Sequence, residues 1–95
     1  MNGKHYDTDA LKRIPILHVA TRLGVWLVKT GGGTWQQKDG DGLSSLTVFE
    51  KTNTFVRFSG KEKGGVSKGS VIDFVMHIKD DPDFKNACAF LADLL

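Results

Sequence analysis

Between Val25 and Phe58 the apolar residues follow a period near two and are interrupted by glycine and asparagine turns, whereas the flanking segments repeat every three to four residues. Two such changes of period within 95 residues restrict the chain to a small sheet with helices before and after it. In the first helical stretch, Ile14 to Gly24, the residues Ile16, Val19, Ala20 and Leu23 share one face, with Pro15 in the first turn and Gly24 as the stop. Residues 1–13 read as an N-terminal arm, in which Asp7 to Arg13 form either one extra helical turn or a loose segment.

The sheet follows. Val25 to Lys29 and Thr34 to Gln37, separated by the turn Thr30 to Gly33, predict a hairpin. After the turn Lys38-Asp39-Gly40-Asp41-Gly42 comes a third strand, Leu43 to Glu50, in which Leu46 and Val48 alternate with Thr47 and Phe49. Lys51-Thr52-Asn53 reverses the chain into a fourth strand, Thr54 to Phe58, and Ser59 to Gly69 is a long Gly- and Lys-rich loop. Ser70 and Asp73 then open a helix in the manner of a capping box, with Val71, Phe74, Val75 and Ile78 as its apolar stripe. Asp81 as N-cap and Pro82 at the first helical position open another, lined by Phe84, Ala87, Cys88, Leu91 and Leu95. The expected fold is α+β, an antiparallel meander of about four strands with one N-terminal and two C-terminal helices.

Size and composition exclude several functions. A chain this short must offset roughly 1.5 kcal/mol of ordering entropy per residue, so its large apolar side chains go into one core and leave little room for a deep active site. The single cysteine, Cys88, permits neither an intrachain disulfide nor a Cys-x-x-Cys motif, and reads as a small core residue. No apolar run approaches the ~20 residues of a membrane span and the N-terminus lacks a secretory signal, so a cytoplasmic protein is expected. No Gly-x-Ser-x-Gly, His-Glu-x-x-His or nucleotide-binding loop occurs, and Asp39-Gly40-Asp41-Gly42 reads as a plain turn, so the chain reads as no enzyme.

Charge is unevenly spread. Residues 51–70 carry Lys51, Arg57, Lys61, Lys63 and Lys68 against Glu62 alone, whereas residues 71–95 carry five aspartates against Lys79 and Lys85. Positive charge concentrated beside glycines is the electrostatic footprint of a phosphate-contacting loop.

The order of elements, together with three stretches, resembles a known family. Gly69-Ser70-Val71-Ile72-Asp73-Phe74-Val75 is similar to Gly-(Asn/Asp)-Ala-Ile-Asp-Phe-(Leu/Val). Asp83-Phe84-Lys85-Asn86-Ala87-Cys88-Ala89-Phe90-Leu91-Ala92 is similar to Ser-Phe-x-Glu-Ala-Val-x-x-Leu-Ala, and Ser45-Leu46-Thr47-Val48 to Ser-Phe-x-Val. From about Ile14 to Leu95 the chain resembles the zinc-binding domain of bacterial replicative primases, more closely the degenerate version in primase-like and TOPRIM-containing proteins of mobile elements.

The family's zinc ligands fall near Gln36, Asp39, Arg57 and Gly60, which cannot replace thiolates and imidazoles, so residues 14–95 are expected to form a zinc-ribbon-like domain without zinc or any other cofactor. His5, His18, His77 and Cys88 sit on separate elements without ligand spacing. A structural zinc contributes roughly 10 kcal/mol or more. Trp26, Trp35, Phe49, Phe55 and Phe58 are expected to replace that contribution, each ring removing roughly 150–250 Å² from water.

The resemblance implies engagement of a single-stranded DNA template. Arg57, Lys61, Lys63 and Lys68 would contact phosphates, an exposed aromatic such as Trp35 or Phe58 a base, and Lys38 and Lys29 would flank the site. The alternative is an interaction module in which the sheet docks on a TOPRIM catalytic domain or a replication protein. The ending Leu94-Leu95 in mid-pattern favours a module of a longer protein.

Overall fold

The computed structural model describes residues 6–95; His5 lies outside them. The elements are α1 (Thr8–Lys12), α2 (Ile16–Arg22), β1 (Leu27–Gly31), β2 (Thr34–Asp39), β3 (Gly42–Phe49), β4 (Thr54–Arg57), β5 (Lys68–Gly69), α3 (Val71–Lys79) and α4 (Phe84–Ala92). The fold is α+β, and the strands form one open antiparallel sheet in the order β1-β2-β3-β4-β5. A fifth strand joins the expected four because the end of the Lys-rich loop returns to the sheet. There Arg57 N–H donates to the Ser67 carbonyl over 2.8 Å, and Lys68 and Gly69 pair with Val56 and Phe55.

The segment expected as an extra turn or a loose arm is α1. Asp7 accepts a hydrogen bond from Ala10 N–H at 3.2 Å, and Leu11 is buried in the core, so part of residues 1–13 is integral to the packing. Pro15 stands at the N-cap of α2, one place before its expected position, and offers no side-chain acceptor. A residue 37 positions away supplies one: Asn53, in the β3–β4 turn, accepts from Ile16 N–H through Oδ1 at 2.7 Å. Its Nδ2 donates to the Lys12 and Ile14 carbonyls, each at 2.8 Å.

Leu46 and Val48 of β3 and Phe55 of β4 point from one sheet face into a single core with Leu11, Ile16, Val19, Phe74 and Leu91. Phe55 and Phe74 meet edge to face, their centroids 5.3 Å apart. Two or three of the expected rings would suffice as aromatic glue, and the structure reduces them to Phe55 and to Trp35, which packs against the core. Of the five rings only Phe55 is fully buried; Trp26 and Phe58 are 66% and 67% exposed, and Trp35 and Phe49 half-buried. The physical reason is the strand period. Alternation puts Phe49 opposite Leu46 and Val48, and the core packs on the Leu46 side.

The start of α3 explains the stretch from Gly69 to Asp73. Asp73 Oδ2 accepts from Ser70 N–H at 2.9 Å, while Ser70 Oγ accepts from Ile72 N–H at 3.2 Å, completing a capping box. Gly69 adopts φ 138°, and a Cβ there would collide with the Asp73 carboxylate, so only glycine admits this box. At α4 the N-cap is Asp83, which accepts from Lys85 and Asn86 N–H groups; Asp81, the expected cap, instead accepts from Asp83 N–H at 2.9 Å. Ala87, Cys88 and Leu91 are buried as expected, but Phe84 and Leu95 are exposed: the helix begins at Phe84, two residues after Pro82, and ends at Ala92, short of Leu95.

Candidate nucleic-acid interface

In a meander laid down in sequence order, alternate strand ends meet. The start of β1, the end of β2, the start of β3, the end of β4 and the start of β5 lie at one end of the sheet, which gathers Trp26, Lys38, Leu43, Phe58 and Lys68. Lys38 N–H donates to the Trp26 carbonyl at 2.8 Å, and Phe58 N–H to the Ser45 carbonyl at 3.0 Å. Three of the large hydrophobic side chains left exposed, Trp26, Leu43 and Phe58, are at this end. The loop that carries Lys61 and Lys63 leaves from it as well.

One face of the sheet is free of helices. Val28, Gln36, Thr47, Val56 and Lys68 form a row in register across all five strands. Val28 and Val56 of this row, and Phe49 beside it, are half-buried, yet they do not pack against the core. The rings of Phe49 and Phe58 meet edge to face at 6.4 Å and 87°, and Thr47 on the same face is 3% exposed. The result is an uncovered surface with an aromatic pair and a basic margin.

The structure divides the residues chosen from the sequence. Phe58, Lys38 and Lys68 lie at the open face or its end, and Lys61 is exposed beside them. Trp35 and Arg57 take the opposite side, since they are in register with the core residues Val48 and Leu46. Trp35 packs against the core, and its Nε1–H donates to Glu50 Oε1 at 3.1 Å. Lys63 is half-buried because the loop tip folds inward, which corrects the expectation of a tip free to meet polyanions. Gly64 is buried, its N–H donates to Asp80 Oδ1 at 2.7 Å, and a Cβ there would strike the Met76 carbonyl at the end of α3. The sequence pairs Trp26 with Trp35 as a possible stacking platform for bases; Leu43 and Phe49 are the residues it did not single out for binding, and the alternation of Phe49 with Val48 is the available signal for the latter.

Beneath the loop lies His77, fully buried, a residue that the sequence offers only as a metal candidate. Its Nε2 accepts from Arg57 Nε–H at 2.9 Å, so the ring proton is on Nδ1, which donates to the Val66 carbonyl at 2.8 Å. Burial pushes its pKa down, and the Arg57 and Lys63 cations act in the same direction, against the Val66 hydrogen bond and the Asp80 carboxylate.

Of the four residues that the resemblance sets near ligand positions, Gln36 donates through Nε2 to the Ser44 carbonyl at 3.2 Å, Arg57 is committed to His77, and Asp39 and Gly60 are exposed. Among the described residues no three His, Cys, Asp or Glu side chains gather where they could hold a metal ion, and no helix is long and apolar enough to cross a membrane. No protein-family model, curated protein or solved structure matches the chain.

Proposed function

We propose that the domain binds single-stranded nucleic acid, chiefly single-stranded DNA, on its helix-free sheet face, as a binding module of a primase-like replication protein. The observation that carries this reading is the convergence of exposed Phe58, supported by Phe49, with Lys38, Lys61 and Lys68 around one end of an uncovered sheet. Every base has a π face, so an exposed ring on an uncovered platform stacks without regard to sequence, while ammonium groups at its margin release counterions from phosphates. The resemblance of Ser45 to Val48 and of Gly69 to Ala92 to primase motifs supports the same reading.

Anisotropy of a fluorescein-labelled oligothymidylate, titrated at about 50 and 200 mM salt, tests it. Binding should weaken steeply with salt and weaken again in Phe58→Ala and in the triple variant Lys38→Ala, Lys61→Ala, Lys68→Ala, with thermal stability kept. Affinity unchanged in both variants would refute it. A second reading, docking of a protein on this face, is favoured by the uncharged run Val28, Gln36, Thr47 and Val56 in the same row. Salt-insensitive affinity for a protein partner with none for oligonucleotides would select that reading.

A further inference from the structure

A cleft of ≈ 280 Å³ lies between α2 and the start of the sheet, lined by Leu17, Thr21, Val25, Trp26, Leu27 and Trp35. Its lining includes both tryptophans of the chain. We infer that this cleft receives one unstacked base of the bound single strand, with Lys29 and Lys38 on the adjoining phosphates; the assignment rests on the nucleic-acid reading above.

Four observations select a nucleobase as the occupant. First, Trp35 is a held wall: it packs against the core, and its indole N–H is tied to Glu50. Second, Lys29 Nζ stands 6.0 Å from the centroid of the Trp35 ring, which places a cation beside the stacking surface. Third, Trp26 keeps 66% of its surface exposed on the opposite flank of the cleft, which removes core packing as the reason for an indole there. Fourth, the hydrogen bond from Lys38 N–H to the Trp26 carbonyl sets Trp26, and with it one wall of the cleft, beside the lysine-bearing end of the sheet. A strand lying on the open face thus reaches the cleft around the start of β1 without crossing the helices. Aromatic walls with Lys29 beside them and Lys38 on the neighbouring strand end complement a planar ring joined to anionic phosphates, whereas an aliphatic side chain of a protein would leave the Lys29 cation unanswered. Thr21 Oγ, whose proton goes to the Leu17 carbonyl at 3.1 Å, presents lone pairs to a base N–H.

Intrinsic tryptophan emission reports on this cleft, because the open face carries phenylalanines. Titration with oligothymidylate should quench that emission in parallel with the anisotropy of the labelled strand, and an abasic strand of equal length should leave it unchanged. Trp26→Ala should weaken binding about five- to a hundredfold with an unchanged melting temperature, and should reduce quenching of the remaining Trp35. Lys29→Gln should lower the salt slope by about one, as loss of one phosphate contact does.

If the oligonucleotide binds and Phe58→Ala weakens it, but tryptophan emission is unmoved and Trp26→Ala binds as the parent does, the cleft assignment falls while the sheet-face reading stands. If no oligonucleotide binds, both fall. Equal quenching by the abasic strand would also overturn the assignment, since it would show a response to phosphate alone.

Discussion

Arg57 and His77 meet where the sheet joins α3: Arg57 Nε–H donates to His77 Nε2 over 2.9 Å, and the same imidazole donates through Nδ1 to the Val66 carbonyl over 2.8 Å. One buried ring thereby joins β4, the Lys-rich loop and the helix. Arg57, which the resemblance and the charge pattern together assign to phosphate, spends its Nε on holding that loop down.

The pair makes stability depend on pH. The folded chain needs neutral His77, whose pKa is lowered chiefly by burial, against the Val66 hydrogen bond, with the smaller effects of Arg57 and Lys63 lowering it further and Asp80 opposing. The unfolded chain binds a proton near the ordinary value of about 6.5. Between that value and the lower folded one the unfolded state holds more protons, so stability is full above about pH 6.5 and declines as pH falls toward the folded pKa. Thermal melts from about pH 8 to 5 should show this decline, and histidine nitrogen shifts should report the Nδ1–H tautomer. A melting temperature flat over that range would contradict it.

Asn53 should be among the most sensitive turn residues. Asn53→Ala removes the cap on Ile16 and two hydrogen bonds to the α1–α2 connection, and leaves alanine at φ 58°, so we expect a loss of about 2–3 kcal/mol. Asn53→Gly relieves the backbone but not the cap, and should fall between. Chemical denaturation of the three proteins checks the order; equal midpoints would show that the tether contributes nothing.

Gly64 and Gly65 separate strain from collision. Both have positive φ, but a Cβ at Gly65 meets open space whereas one at Gly64 meets the end of α3. Gly65→Ala should cost about 1–2 kcal/mol, and Gly64→Ala clearly more, with release of the loop. Hydrogen exchange at Val66 would then quicken in Gly64→Ala alone. The opposite ranking would mean that the loop does not dock on α3.

Cys88 should be silent in the native protein. It is fully buried and burial pushes its thiol pKa up, so thiolate is scarce and unreachable. A thiol-specific chromogenic reagent at neutral pH should react only as fast as the chain opens, and at once in denaturant. Prompt reaction without denaturant would place Cys88 outside the core.

Local features were legible in the sequence because their causes are local. Ser70 and Asp73 stand three residues apart and close a capping box between themselves, and turns such as Gly40-Asp41 need only the residues in them. The long-range contacts that tie the elements together were not legible in this way. Asn53 caps a helix 37 residues away, and nothing near Asn53 in sequence announces it. His77 reads as one more position on an amphipathic helix until β4 brings Arg57 to it.

By itself, then, the sequence determined the α+β class, most of the strands, the apolar faces of the helices and the accumulation of lysine before α3, since periodicity, turn chemistry and charge are properties of neighbours along the chain. Tertiary structure decided which sheet face the helices cover. Alternation states only that Phe49 and Val48 oppose each other, and burial of Val48, Leu46 and Phe55 with Phe74 resolves that choice and leaves Phe58 exposed. The fold likewise turned the loop tip inward at Gly64, because docking there supplies the Asp80 carboxylate with a backbone donor that no residue beside it in sequence provides.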